Sequence, residues 1–364
     1  MSTALLITVL LLAASNGAND NFKGVAALYG SRTVSYRVAL GWASVTTLAG
    51  SLASLWLAQA LLTTFTGAGL VTADISAQTN FALAVALGAA FTIVIGTLRG
   101  LPVSTTHALL GAMAGAGLVA VGTRLHFASL ERVFLLPLLA SPIIAIVPAF
   151  LIAPSLRRWV AGHRQRRTEC LCLERDALVT PEGVVSRESL TLRTGSLAEC
   201  AERDAQTVAR VRGFGMVDTL HFLLAGAVGF ARGLNDTPKI AALLLPITLL
   251  DGHAATAAVA AAMLFGGMVG ARQVARTMSD KITRLDMGAG LAASLTAALL
   301  VSTASFNGLP VSTTHVSVGA LAGAGASGAH GGVDRRVMKG IVWSWVVTLP
   351  IGAAFGALLY AGIS

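Results

Sequence analysis

The chain reads as an all-α polytopic membrane protein: an inverted-topology repeat of two halves with broken or re-entrant helices, about 10–12 membrane segments in all. Three observations lead there. The 364 residues are 55% hydrophobic and 12% charged, with a mean hydropathy of +0.74, outside the range of soluble globular chains. Two unlike polar motifs lie in apolar sequence, and each recurs in the same order about 210 residues later. Loops at equivalent places in the two halves carry opposite charge bias.

The first membrane repeat covers 1–155, a polar segment 156–215, and the second, inverted repeat 216–364. Apolar stretches near 2–15, 22–30, 38–62, 80–98, 103–122 and 133–155 make six pieces of the first half. Those near 216–231, 238–250, 254–271, 287–305, 311–326 and 340–362 make six of the second. The 39 glycines suit tight helix packing in lipid, where small residues let backbones approach. The run from Leu5 to Ala14, followed by Ser15, Gly17 and Ala18, resembles a signal peptide. No Lys or Arg precedes Lys23, so the basic start of such a peptide is lacking and a retained span is expected.

Lys and Arg are held on the cytoplasmic side, so loop charges report orientation. Ser31 to Arg37 holds Arg32 and Arg37, whereas its counterpart Ile247 to His253 holds no Lys or Arg. Thr63 to Thr79 has none, whereas Arg272 to Asp286 carries Arg272, Arg276, Lys281 and Arg284. Equivalent loops therefore face opposite sides, and each half makes an odd number of crossings. Taking each Asn-Asp-bearing segment as one crossing gives about five per half, with both termini outside. Arg157 to Arg212, with eleven arginines and eight acids, is then a cytoplasmic linker. Cys170, Cys172 and Cys200 all fall in it, where a cytosolic address predicts free thiols rather than disulfides or a metal site.

The first motif is Gly17-Ala18-Asn19-Asp20-Asn21-Phe22-Lys23, and 216 positions on stands Gly233-Leu234-Asn235-Asp236-Thr237-Pro238-Lys239. Ionisable residues at membrane depth are costly and mark function by default. Gly17 and Gly24, and Gly229, Gly233 and Pro238, suggest an interrupted helix that frees carbonyl oxygens. Asn19, Asp20, Asn235 and Asp236 would complete an oxygen cage for sodium or a proton, or else cap a helix end. Only four of the 26 basic residues are lysines, and two are Lys23 and Lys239. They can neutralise the aspartates, attract an anion from the cavity, stand in for a second cation, or snorkel to the interface.

The second motif is Gly100-Leu101-Pro102-Val103-Ser104-Thr105-Thr106-His107, repeated as Gly308-Leu309-Pro310-Val311-Ser312-Thr313-Thr314-His315. A Gly-Pro break at a helix start exposes N–H groups at the positive dipole end, and hydroxyls add donors. Ser104, Thr105, Thr106, Ser312, Thr313 and Thr314 therefore form a candidate oxyanion site, fitting phosphate or sulfate. His107 and His315 are candidate proton carriers or neutral packed rings.

On these motifs the chain resembles the PiT family of inorganic phosphate transporters, with one hit to each signature in each half. The resemblance implies an inverted-repeat homodimer importing inorganic phosphate with Na⁺ or H⁺. It assigns Asn19, Asp20, Asn235 and Asp236 to the coupling cation and the six hydroxyl residues to phosphate; Lys23 and Lys239, each following the expected helix break, are read from the residues themselves as facing the cavity and joining the phosphate site. Many sodium-coupled members read Asn-Asp-Val-Ala-Asn, where this chain has Lys23 and Lys239 in place of the last Asn. A fixed positive charge there repels a further cation and favours proton coupling. Proton-coupled bacterial members carrying metal–phosphate complexes look similar in the second half.

The expected setting is a multi-pass protein of a bacterial inner membrane, with phosphate and lipid as partners, and no cofactor or metal beyond the coupling ion. The net charge of +9 sits in loops and linker rather than on one amphipathic face, so no nucleic-acid partner is expected. Sulfate permeases share the fold and form the near alternative. A passive channel fits poorly with an acidic residue in each half. An alternative of another class is an intramembrane phosphoester hydrolase, with His107 or His315 as base beside a serine nucleophile; no Asp or Glu follows either His within reach in sequence to orient it.

Overall fold

The structure is a computed structural model that describes residues 1–67, 69–163, 168–179, 185–196, 206–212, 215–328 and 332–364, those between 168 and 212 by backbone alone. Among the described residues, ten long helices build the membrane part. In the first half these are α1 (Ser2–Asp20), α2 (Tyr36–Leu57), α3 (Thr79–Leu98), α4 (Thr105–Val121) and α5 (Leu136–His163). In the second they are α6 (Met216–Ala241), α7 (Gly252–Gly270), α8 (Met287–Phe306), α9 (Thr313–Ala326) and α10 (Arg335–Ile363). Among the described residues, eight helical segments are long and apolar enough to cross a membrane. The two that fall short are α6, which carries Asp218, Arg232, Asp236 and Lys239, and α9, with 14 residues. Large side chains such as Trp56, Phe265, Val269 and Leu358 are about two-thirds exposed or more, as expected where the surrounding solvent is lipid.

A separate unit, Val160–Leu220, contains an antiparallel three-stranded sheet of order β2-β1-β3. Its strands are β1 (Thr168–Val179), β2 (Val185–Ser196) and β3 (Gln206–Arg212). The charge-rich sequence between the halves predicted only a linker there. Cys170 and Cys172 fall on β1, and Cys200 lies outside the described residues.

The inversion predicted from loop charge is borne out by which loops meet. Arg32 pairs with Asp280 at 3.1 Å, joining the two basic loops of opposite halves. Arg157 joins the same end through Asp286 at 2.6 Å and Ser327 Oγ at 2.8 Å. The counterpart loops gather elsewhere: Leu61, Phe65, Leu70 and Ile247 share one apolar cluster with Leu5 near the N-terminus. Asn80 donates to the carbonyl of Ile363 at 3.4 Å, so the C-terminus lies at that second end too.

Two sequence expectations change. The pieces 2–15 and 22–30 are one helical segment, Ser2–Gly30, tightened into a 3₁₀ turn at Asn21–Val25. Likewise α6 runs through Asn235, Asp236 and Pro238 to Ala241. The second Asn-Asp motif thus lies inside one unbroken α-helix, whereas in the first half the α-helix gives way to a 3₁₀ turn within the motif; in both, the glycine before the Asn-Asp pair serves packing. A Cβ on Gly17 would lie 2.0 Å from the Met263 carbonyl oxygen, and one on Gly233 would lie 2.1 Å from that of Thr47. These two contacts are images of each other, since both glycines and both partners differ by 216 positions.

The true breaks lie in the other motif. Gly100 and Gly308 each have φ +66°, a left-handed conformation that closes α3 and α8. The next amide folds back, Leu101 N to Gly96 O at 3.0 Å and Leu309 N to Ala304 O at 2.9 Å, satisfying carbonyls the helix end would leave unpaired. The chain then reverses. Beyond α4, His126 N donates to Leu70 O at 3.0 Å, so α3 and α4 begin and end at one face as a re-entrant hairpin. The pair α8–α9 does the same from the opposite face, where Gly325 packs on Thr283. A returning hairpin leaves the crossings per half odd, as inversion requires.

Valine at Gly17 or Gly233 is expected to overpack the helix contact at a cost of about 1–3 kcal/mol. Thermal melting of the detergent-solubilised protein should fall for both variants and stay unchanged for Gly362→Val, where a Cβ meets nothing within 4 Å.

Candidate functional site

The two hairpin tips meet head to head. Thr106 Oγ1 donates to Val311 O at 3.3 Å, and Thr314 Oγ1 donates to Val103 O at 2.8 Å, each reaching from one half into the other. Pro102 and Pro310 leave the tips extended, so these carbonyls stay outside any helix ladder. Helices restart at Thr105 and Thr313, where Ser104 Oγ accepts from His107 N and Ser312 Oγ from His315 N, both at 3.2 Å. These serines cap their helices, while Thr105 and Thr106, Thr313 and Thr314 stand in the first turns, whose N–H groups have no partner within the helix.

Against the tips lie Asn19, Asp20 and Lys23 of the first half and Asn235, Asp236 and Lys239 of the second, all buried. Lys23 Nζ donates to Asn19 Oδ1 at 3.0 Å, Val103 O at 3.0 Å, Thr314 Oγ1 at 2.6 Å and to Asp20 Oδ1. Lys239 Nζ donates to Thr106 Oγ1 at 3.0 Å, Val311 O at 2.8 Å and Asn235 Oδ1, and lies 3.6 Å from Asp236 Oδ1. Thr105 Oγ1 is 3.4 Å from Asp20 Oδ2, as is Thr313 Oγ1 from Asp236 Oδ2. Each lysine thus ties its own aspartate to the opposite tip. The carbonyls expected from interrupted helices come instead from Val103 and Val311.

One part of the centre was not anticipated from sequence. Asn16 Nδ2 is 3.4 Å from a carboxylate oxygen of Asp20 and equally far from one of Asp236, bridging the halves. Arg232, at the position equivalent to Asn16, donates to Asn16 Oδ1 at 2.6 Å and lies 3.6 Å from Asp236 Oδ2. It also reaches Asn21 Oδ1 and Thr47 Oγ1 at 3.3 Å each. An arginine at membrane depth just before the second motif was the available signal. Among the described residues, every buried Asp, Lys or Arg belongs to this cluster, whose three cations and two carboxylates leave one formal positive charge.

His107 and His315 are brought together behind the tips, ring centroids 4.6 Å apart, with Trp345 4.0 Å beyond His315. His315 Nδ1 is 3.0 Å from Leu138 O. Among the described residues, neither imidazole is hydrogen-bonded to a carboxylate, the partner that orients the His of a Ser-His hydrolase. The cavity beside Lys23, lined by Gly24, Ser294 and Ser317, is about 10 Å³, room for one water.

Fold and site together define a class: a polytopic helical membrane protein in which two inverted repeats enclose one shared buried polar centre, the architecture of secondary transporters. Residues 16–356 match the phosphate transporter family, and the chain belongs to that family. It is 26% identical to a probable low-affinity inorganic phosphate transporter of Bacillus subtilis, over 99% of this chain and 98% of that one. It is 27% identical to the chloroplastic inorganic phosphate transporter 2-1 of Arabidopsis thaliana, over 100% of this chain and 72% of the other. A solved structure titled the sodium-dependent phosphate transporter shares the fold, with TM-score 0.74 at 22% identity and coverage of 99% and 98%.

Arg232→Met leaves Asn16 and Asp236 short of a cationic partner, and is expected to cost about 3–5 kcal/mol. Melting in detergent should drop sharply for this variant and recover in part when Asp236→Asn is added.

Proposed function

We propose that this chain imports inorganic phosphate by secondary active transport, coupled to an H⁺ or Na⁺ gradient and operating by alternating access at the centre between the hairpin tips. The observation that carries this reading is the reciprocal interlock: each half supplies the lysine that holds the other half's threonine, so neither half has a complete site. Ser104, Thr105, Thr106, Ser312, Thr313 and Thr314 provide hydroxyl donors and helix-start N–H groups to the anion, and Lys23 and Lys239 provide positive field. Asp20 and Asp236, each flanked by Asn19 or Asn235, respond to the coupling cation. His107 and His315, stacked behind the tips, are the candidate proton carriers.

In this reading the centre, whose charged and hydroxyl side chains are buried, closes between openings to either side. Opening toward one face costs two threonine–carbonyl hydrogen bonds between the tips, and the surplus positive charge draws in an anion to offset it. In this reading the protein works as a homodimer in a bacterial inner membrane, with the basic loops and the linker facing the cytoplasm and both termini outside. Carriage of phosphate as a metal complex is tested by the presence or absence of Mg²⁺ during uptake.

Labelled phosphate and sulfate are offered to proteoliposomes under a proton or a sodium gradient, with and without Mg²⁺. Wild-type protein should accumulate phosphate against its gradient, with sulfate a poor competitor. Asp20→Asn and Asp236→Asn should each reduce driven uptake to background while the protein still inserts and elutes as a folded species. Full uptake by both variants contradicts the assignment, and preference for sulfate replaces phosphate as the substrate.

A further inference from the structure

The two lysines have a coordination that ordinary salt bridges lack. Lys23 Nζ is surrounded by Asn19 Oδ1, Asp20 Oδ1, Val103 O and Thr314 Oγ1, all within 3.0 Å. Lys239 Nζ is surrounded by Asn235 Oδ1, Asp236 Oδ1, Val311 O and Thr106 Oγ1, all within 3.6 Å. The two sets match atom for atom: an amide oxygen, a carboxylate oxygen, a tip carbonyl and a hydroxyl from the opposite half. An ammonium has three N–H donors, so four converging oxygens exceed what hydrogen bonding alone requires. Carboxylate, amide, carbonyl and hydroxyl oxygens closing on one point are the donor set of a small hard cation.

We infer that the ammonium groups of Lys23 and Lys239 are tethered occupants of two cation cages, so that the oxyanion is carried without sodium. This deepens the transport reading above and rests on it. Both side chains are buried, Lys23 3% and Lys239 0% exposed, and each ammonium is held by a tip carbonyl and a tip hydroxyl as well as by its own motif. A free cation at either cage would stand against the lysine already there and against Arg232, in a cluster whose buried charge is already positive. The centre's own charges therefore supply what a co-transported metal cation supplies elsewhere, and the one surplus charge is balanced by a singly charged oxyanion such as dihydrogen phosphate.

The test compares wild type with two pairs of substitutions that remove the same charges but differ in space. Lys23→Ala with Lys239→Ala opens both cages, whereas Lys23→Met with Lys239→Met fills them with an uncharged chain of similar bulk. Phosphate uptake is measured in sodium and in choline at equal pH gradient, and the melting of purified protein is measured in the same two salts. Wild type should take up phosphate equally in both salts, with equal melting. The alanine pair should gain sodium-dependent melting, and severalfold sodium stimulation of any uptake it retains; the methionine pair should gain neither. Uptake or melting of wild type that needs sodium overturns the inference and leaves the transport reading standing, as does an alanine pair indifferent to sodium in both measurements. If the pair does not fold, the single alanine variants are melted instead: a sodium-dependent rise supports the cages, and indifference to sodium overturns them. Absence of uptake by wild type under every gradient counts against the transport reading alone, because melting needs no transport.

Discussion

Two carboxylates buried out of reach of water impose the constraint on which this architecture depends. Desolvating an ion costs several kcal/mol, and only close partners of opposite sign with satisfied hydrogen bonds offset it. Asp20 and Asp236 find those partners in Lys23, Lys239 and Arg232, all at most 3% exposed. The cations need acceptors in turn, and these come from the hairpin tips. The charged centre and the hairpins are therefore interdependent: tips that did not meet would leave Lys23 without Thr314 and Lys239 without Thr106, one acceptor each from the opposite half.

Small residues make that meeting possible. With no hydrophobic drive between helices in lipid, association relies on close backbone approach. The contacts of Gly17 with Met263 and of Gly233 with Thr47 bring α1 onto α7 and α6 onto α2, which sets the two Asn-Asp motifs side by side. The positive φ of Gly100 and Gly308 then turns each hairpin so that Val103 and Val311 present carbonyls to the lysines of the two halves. Packing glycines and turning glycines do different physical work in the two motifs, although both appear in sequence as Gly beside polar residues.

The symmetry is broken at one position. Where the first half has Asn16, the second has Arg232, and the two side chains bond to each other across the interface. The asparagine amide bridges both carboxylates while the guanidinium supplies the third cation. A strictly symmetric pair of asparagines would leave the centre neutral, and a pair of arginines would crowd two cations together. The departure is what makes the cluster net positive.

Much of this was legible in the sequence. The repeated motifs and the opposed charges of loops 31–37 and 247–253 determined the duplication and its inversion, because lipid tolerates ionisable residues only for function and retains basic loops on one side. The same physics marked Asp20, Asp236, Lys23 and Lys239 as belonging to a centre. Periodicity and glycine content misread the course of α1 and α6, since a glycine that packs and a glycine that breaks a helix look alike in one dimension. The β-sheet between the halves escaped notice because a charge-rich segment in a membrane protein reads as a loop. Only the tertiary structure decided that Lys23 reaches Thr314, 291 positions away, and that Asn16 and Arg232 complete the cluster. Sequence records which groups must be neutralised in lipid, whereas the partner that neutralises each is chosen by how the helices cross.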